Sequence, residues 1–263
     1  MTTATKIWEK ALAQARGSLY TGIMHREDET VAESPGIGLY RETNLHAALK
    51  RWYARPGDRI EARISGFCTD ILRGELCIEI QTGHFGALAE KLAKLLSERS
   101  VRIVYPVPVS RTILKLHPGT GELLSRTKSP KKRSIYTLFS ELLRLPKFAC
   151  HRGFSLEVLF TVEEEERVAT GKGSWRRGGV ETRDRRLIQV VDSRLFAKPE
   201  DYAALIPFGC PDPFTVSSLA ETALISVDEA RKMVYCLKKM GLITEVGKQG
   251  RALIYRRFSG GSN

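Results

Sequence analysis

The chain predicts an α/β protein: a mixed β-sheet flanked by helices, followed by a small C-terminal domain. Three observations lead there. Residues 70–81, Asp-Ile-Leu-Arg-Gly-Glu-Leu-Cys-Ile-Glu-Ile-Gln, read as a hairpin of alternating apolar and polar side chains. Across 60–107 the patterns run strand, strand, strand, helix, strand. Residues 207–213, Pro-Phe-Gly-Cys-Pro-Asp-Pro, punctuate the chain as a linker, dividing it into 1–206 and 214–263.

The 263 residues allow one large or two ordinary domains with a sizeable core. A net charge of +12 points to a polyanionic partner. The five cysteines are widely spaced with no C-x-x-C, so neither a disulfide framework nor a zinc site follows. No apolar run approaches the ~20 residues of a membrane span, and no signal-peptide core stands at the start. A cytoplasmic location and no membrane partner are expected.

In chain order, Ile7, Trp8, Leu12, Ala15 and Leu19 fall at helical spacing, a docking helix over 5–20. Residues 21–40 read as a loop. A helix is expected over 43–54, with Leu45, Leu49 and Trp52 on one side and Glu42 and His46 four apart at its start. Residues 60–66 make a strand, and the hairpin follows with Arg73 and Gly74 as its turn. That register sets Leu72 opposite Glu75 and Asp70 opposite Cys77. Asp70 then shares a face with Glu79, about 7–8 Å away on the diagonal. A divalent cation with bonds of about 2.1 Å to one oxygen of each bridges that gap. A helix over 87–97 carries Leu88, Leu92, Leu95 and Leu96 inward and Lys91 and Lys94 outward. A buried parallel strand over 101–107, bounded by Pro106 and Pro108, closes the unit.

Asp70 on one strand, then Glu79-Ile80-Gln81 on the next, resembles the core of the PD-(D/E)XK nuclease superfamily. The order of elements around these carboxylates matches the minimal restriction-endonuclease-like core. The resemblance implies that Asp70 and Glu79 bind Mg²⁺ or Mn²⁺. Two positions depart from the pattern: Thr69 stands where the motif has Pro, and Gln81 where it has Lys. Gln81 would orient the attacking water, Lys91 on the following helix would supply the displaced charge, and Glu42 would complete the acid set. The plainer reading of each is a solvated hairpin face, an exposed helix lysine and a helix N-terminal charge.

A second hairpin is expected around 117–121, then a basic run with Arg126, Lys128, Lys131, Lys132 and Arg133. A helix over 136–145 and a strand over 154–162 follow; the acids Glu163 to Glu166 end that strand as a solvated run. Residues 170–186 are rich in Gly and Arg, a flexible excursion whose Arg176, Arg177 and Arg183 suit phosphates. Past the linker come two helices, the second capped by Ser226, then strand, basic turn and strand. Residues 214–258 resemble a winged helix, with Arg231 and Lys232 on its second helix and Lys248 and Arg251 on the wing placed toward phosphates.

Two functions follow. One is a metal-dependent endonuclease cutting double-stranded or branched DNA, with the C-terminal domain aiding the grip and a homodimer admitted. The alternative is a non-catalytic DNA-binding regulator or scaffold on a degenerate nuclease fold.

Overall fold

The computed structural model describes residues 44–131, 133–174 and 178–258. The docking helix expected over 5–20, together with Glu42, Lys132, Arg176 and Arg177, lies outside the described residues.

Helix α1 (Asn44–Tyr53) precedes three antiparallel strands, β1 (Arg59–Ile64), β2 (Phe67–Arg73) and β3 (Leu76–Ile80). A 3-10 turn (Phe85–Leu88) leads into helix α2 (Ala89–Leu96), and β4 (Ser100–Leu116) returns parallel to β3. Strand β5 (Leu123–Lys128) folds back on the far half of β4, and the short helix α3 (Leu138–Leu142) follows. On the other edge of β4 lies β6 (Phe154–Ser174), parallel to it, with β7 (Val180–Phe196) antiparallel beyond. The order β1-β2-β3-β4-β6-β7, with β5 on β4, makes a seven-stranded mixed sheet flanked by helices.

Both faces of the sheet are covered around β2, β3 and β4. Leu45, Leu49 and Tyr53 recur every four residues along α1 and pack on Ile71, Ile78, Ile80, Val104 and Leu159. The opposite face sets Leu72, Cys77 and Ile103 against Leu92 and Leu95 of α2 and Leu138 and Leu142 of α3. Each fully buried leucine of this kind stabilises the fold by about 1.5–3 kcal/mol.

Four local expectations are corrected. The β2–β3 turn is Gly74-Glu75, so Leu72 pairs with Cys77 and Ile71 with Ile78, two residues from the expected register. Gly74 takes a left-handed φ of 56° at the first turn position, which suits a residue without a Cβ. Strand β4 runs on through Pro106 and Pro108. They fall between the β3 pairing, which ends at Val104, and the β5 pairing, which starts at Thr112, where one edge lacks a partner and a missing N–H is tolerated. Glu163 to Glu166 lie inside β6 rather than ending it, because arginines on neighbouring strands neutralise them. Of the Gly/Arg stretch, residues 170–174 extend β6 and 180–186 belong to β7, so those parts are strand rather than a free excursion.

The C-terminal part holds α4 (Pro199–Ala203), β8 (Phe214–Thr215), α5 (Val216–Ala223), α6 (Val227–Lys239), β9 (Ile243–Gln249) and β10 (Ala252–Arg257). Its three strands order as β8-β10-β9. Ser226 caps α6: its Oγ accepts the Glu229 N–H at 3.2 Å, and the Glu229 carboxylate accepts the Ser226 N–H at 3.0 Å. Leu219, Met233 and Leu237 belong to the same apolar cluster as Leu92 and Leu138, rather than to a small core of their own. The Cys236 thiol donates to the Phe139 carbonyl at 3.6 Å, and Arg257 donates to the carbonyls of Pro207 and Cys210 at 3.0 Å each. Residues 207–213 are therefore tied to the unit that follows them. No helix among the described residues is long and apolar enough to cross a membrane.

Candidate active site

Strands β2 and β3 part company after the Ile71–Ile78 pair. Asp70 sits at that opening. Its Oδ2 accepts the Ile80 N–H at 2.8 Å, replacing a ladder carbonyl with a carboxylate beside the Glu79–Ile80 peptide. The same oxygen meets His46 Nε2 of α1 at 3.3 Å. Burial pushes the Asp70 carboxyl upward, but the hydrogen bond from His46, its charge, the Ile80 N–H and the Lys50 charge outweigh it. The net result is an acid held below its usual range.

Glu79 is buried, with 4 % of its surface exposed. Its Oε2 takes the Lys91 ammonium from α2 at 2.6 Å. Lys91 also donates to the Cys68 carbonyl, which fixes its direction across the end of β2. The other oxygen, Oε1, has no hydrogen-bond partner among the described residues. Burial raises the Glu79 carboxyl; the charge and hydrogen bond of Lys91 oppose this without cancelling it, and the nearby Asp70 charge adds to the rise. Two acids on adjacent strands are thus driven in opposite directions, one held ionised and one drawn toward its neutral form.

Gln81 stays at the end of β3, where its N–H donates to the Val104 carbonyl at 2.9 Å and its side-chain amide to the Gly83 carbonyl. Of the sequence-derived set, Glu79 and Lys91 form an ion pair, Asp70 lies near enough for its charge to act on Glu79, and Gln81 is turned into the adjoining loop. His46, noted in the sequence only as four residues from Glu42, emerges as the Asp70 partner. Among the described residues no three His, Cys, Asp or Glu side chains stand grouped for a metal. The site offers two carboxylates.

The basic residues divide into separate places. Lys131 and Arg133 join Arg111, Arg167 and Arg185 around a cavity at the far end of the sheet. Arg126 is paired with Glu164 at 2.7 Å, and Lys232 with Asp228 at the same distance. Lys128, Arg183, Arg231, Lys248 and Arg251 are exposed. Arg111 and Arg167 carried no signal as site residues in the sequence, whereas Arg185 stood in the Gly- and Arg-rich stretch expected to suit phosphates. The period-two spacing of Arg183 and Arg185 was the available signal, and it needed the strand assignment to be read.

Residues 43–197 match a family described as a domain of unknown function, DUF8091. That span takes in α1 through β7, and with them both the Asp70 site and the basic cavity. A protein of Treponema pallidum (strain Nichols), described only as uncharacterized, is 32% identical over 228 residues, covering 86% of this chain and 90% of its own. No solved structure matches the chain.

Proposed function

The chain belongs to the DUF8091 family, and for it we propose a metal-dependent nuclease that hydrolyses phosphodiester bonds in DNA. One observation carries the reading. Glu79 is ion-paired to Lys91 and feels the charge of Asp70 where β2 and β3 separate, on an α-β-β-β-α-β run whose fourth strand lies parallel to the third. We read that run as a restriction-endonuclease-like core and residues 214–258 as a winged helix that adds to the grip on duplex.

The donor set fits a hard divalent cation. Carboxylate oxygens are the ligands Mg²⁺ and Mn²⁺ take, and the buried Oε1 of Glu79 has no hydrogen-bond partner among the described residues. Asp70 and Glu79 would hold the ion. Such an ion, when bound, lowers the pKa of a coordinated water and stabilises charge on the phosphoryl group. The protein's own residues supply the rest. His46 and the Ile80 N–H orient the Asp70 carboxylate and keep it ionised. Lys91 anchors Glu79 and places a positive charge beside the site, the position from which a phosphate oxygen is attracted. Arg231, Lys248 and Arg251 would meet the backbone without reading sequence.

The test is nicking of supercoiled plasmid by the full chain with Mg²⁺ or Mn²⁺, against EDTA. Asp70→Asn and Glu79→Gln are expected to lose nicking by about a hundredfold or more, as removal of a group that stabilises transition-state charge does. Both should retain duplex binding. The tight closure of Glu79 by Lys91 favours a second reading, a non-catalytic DNA-binding scaffold. Duplex binding with no metal-dependent nicking in the wild-type chain selects it.

A further inference from the structure

Beyond Pro108 the strands β4, β6 and β7, with the segment after β5, enclose a cavity of ≈ 690 Å³. Its walls include Arg111, Lys131, Arg133, Arg167 and Arg185, with Glu165 among them. The charges do not cancel. Arg111 reaches Glu163 at 2.8 Å and Glu165 at 2.7 Å, and Arg167 takes the second oxygen of Glu165 at 2.7 Å. Two arginines thus saturate two buried acids, leaving Lys131, Arg133 and Arg185 over. Among the described residues Arg185 has no carboxylate within ion-pair distance. Arg111 Nε is buried with no hydrogen-bond partner among the described residues.

We propose that this cavity is a binding site for a phosphomonoester, distinct from the Asp70 site. Its recognition group is the Arg185 guanidinium, assisted by Arg133 and Lys131. Guanidinium forks match the terminal oxygens of a phosphate in pairs, and a half-buried guanidinium without a carboxylate at ion-pair distance is suited to such a counterion. Burial already pushes the Arg185 pKa down, with Arg111 adding to it, while Glu163 and Glu165 only partly offset the two. Pro108 and Ile113 give an apolar wall for the organic group that bears the phosphate. The volume falls within the range of about 300–1,000 Å³ usual for small-molecule sites. The proposal does not depend on the nuclease reading, since no residue of the Asp70 site lines the cavity.

Two sources could present the same group: a free nucleotide, or the 5′-phosphate end of a polynucleotide. The test is calorimetric titration of the full chain with a nucleoside 5′-monophosphate, and with a short oligonucleotide carrying either a 5′-phosphate or a 5′-hydroxyl. Saturable binding of the monophosphate, or binding of the phosphorylated oligonucleotide at least tenfold tighter than its hydroxyl form, supports the site and says which source it takes. Arg185→Gln should weaken that binding at least tenfold, and Asp70→Asn should leave it unchanged. Arg133→Gln, at an exposed position that does not threaten folding, should weaken it severalfold. Absence of saturable binding by either phosphorylated probe overturns the proposal. So does wild-type affinity retained in both arginine variants. Loss of nicking with phosphate binding retained would concern the Asp70 site alone.

Discussion

Lys91 reaches from α2 across the end of β2 to a carboxylate with almost no contact with water. Such a pair adds little net stability while both members are present, because each lost its hydration on burial. Removing one partner is different. Lys91→Met should destabilise the fold by about 3–5 kcal/mol, the usual cost of leaving a buried charge alone. Lys91→Met combined with Glu79→Gln should recover most of that loss. Urea denaturation of the two singles and the double reads the coupling directly. A single-variant loss near zero would mean that Glu79 is readily hydrated, and the account of its burial would fail. That Asp70 and Glu79 stand on consecutive strands was legible from their spacing, whereas Lys91, expected on the outward side of its helix, turns in to Glu79. The Asp70–His46 contact was not, since it depends on how α1 crosses the sheet.

At the level of the element, β6 is the strand on which sequence and structure differ most. Four acids in a row read as a solvated end, yet Glu163 is 0 % and Glu165 is 3 % exposed. Their partner Arg111 stands some fifty residues earlier on β4, and the Arg186 that meets Glu166 stands on β7, beyond any local window. The ribbon should therefore be acid-sensitive. Burial pushes the Glu165 carboxyl up, but the Arg167 hydrogen bond and the charges of Arg111, Arg167 and Arg185 bring it below its ordinary 4.5. A folded pKa below the unfolded one gives stability that is whole above the unfolded value and is lost as pH falls through the folded one. Glu165→Gln should cost about 3–5 kcal/mol at pH 7. The gap to wild type should shrink steadily below pH 4.5, as thermal melts across pH 3–7 would show. By contrast the Ser226 cap of α6 was readable, because all of its atoms lie within four residues.

For the whole molecule, the apolar cluster runs from α2 and α3 into α5, α6 and β10 without interruption. Residues 207–213 read in the sequence as a linker between two domains, but composition cannot report that Phe139 and Cys236 meet across it. Continuous packing implies a single cooperative transition. Leu237→Ala, in a fully buried position, should lower the stability of the whole described fold by about 2–5 kcal/mol and shift every probe together. Hydrogen exchange at Ile103 amides in β4 and at Val234 amides in α6 would check this. Early exchange confined to α6 would reveal two units.

The central strand β4 has one further effect, on the order in which the chain can assemble. Its β3 edge is available as soon as α2 is made, but its longest ladder is with β6, whose residues come about fifty positions later, as slow-folding non-local topologies require. Until Phe154 and its neighbours leave the ribosome, Val101, Ile103 and Tyr105 stand beside an unpaired row of amides and carbonyls. Nascent chains halted between β4 and β6 are then sticky intermediates that a chaperone must shield, and release past β7 is the moment at which the sheet can close.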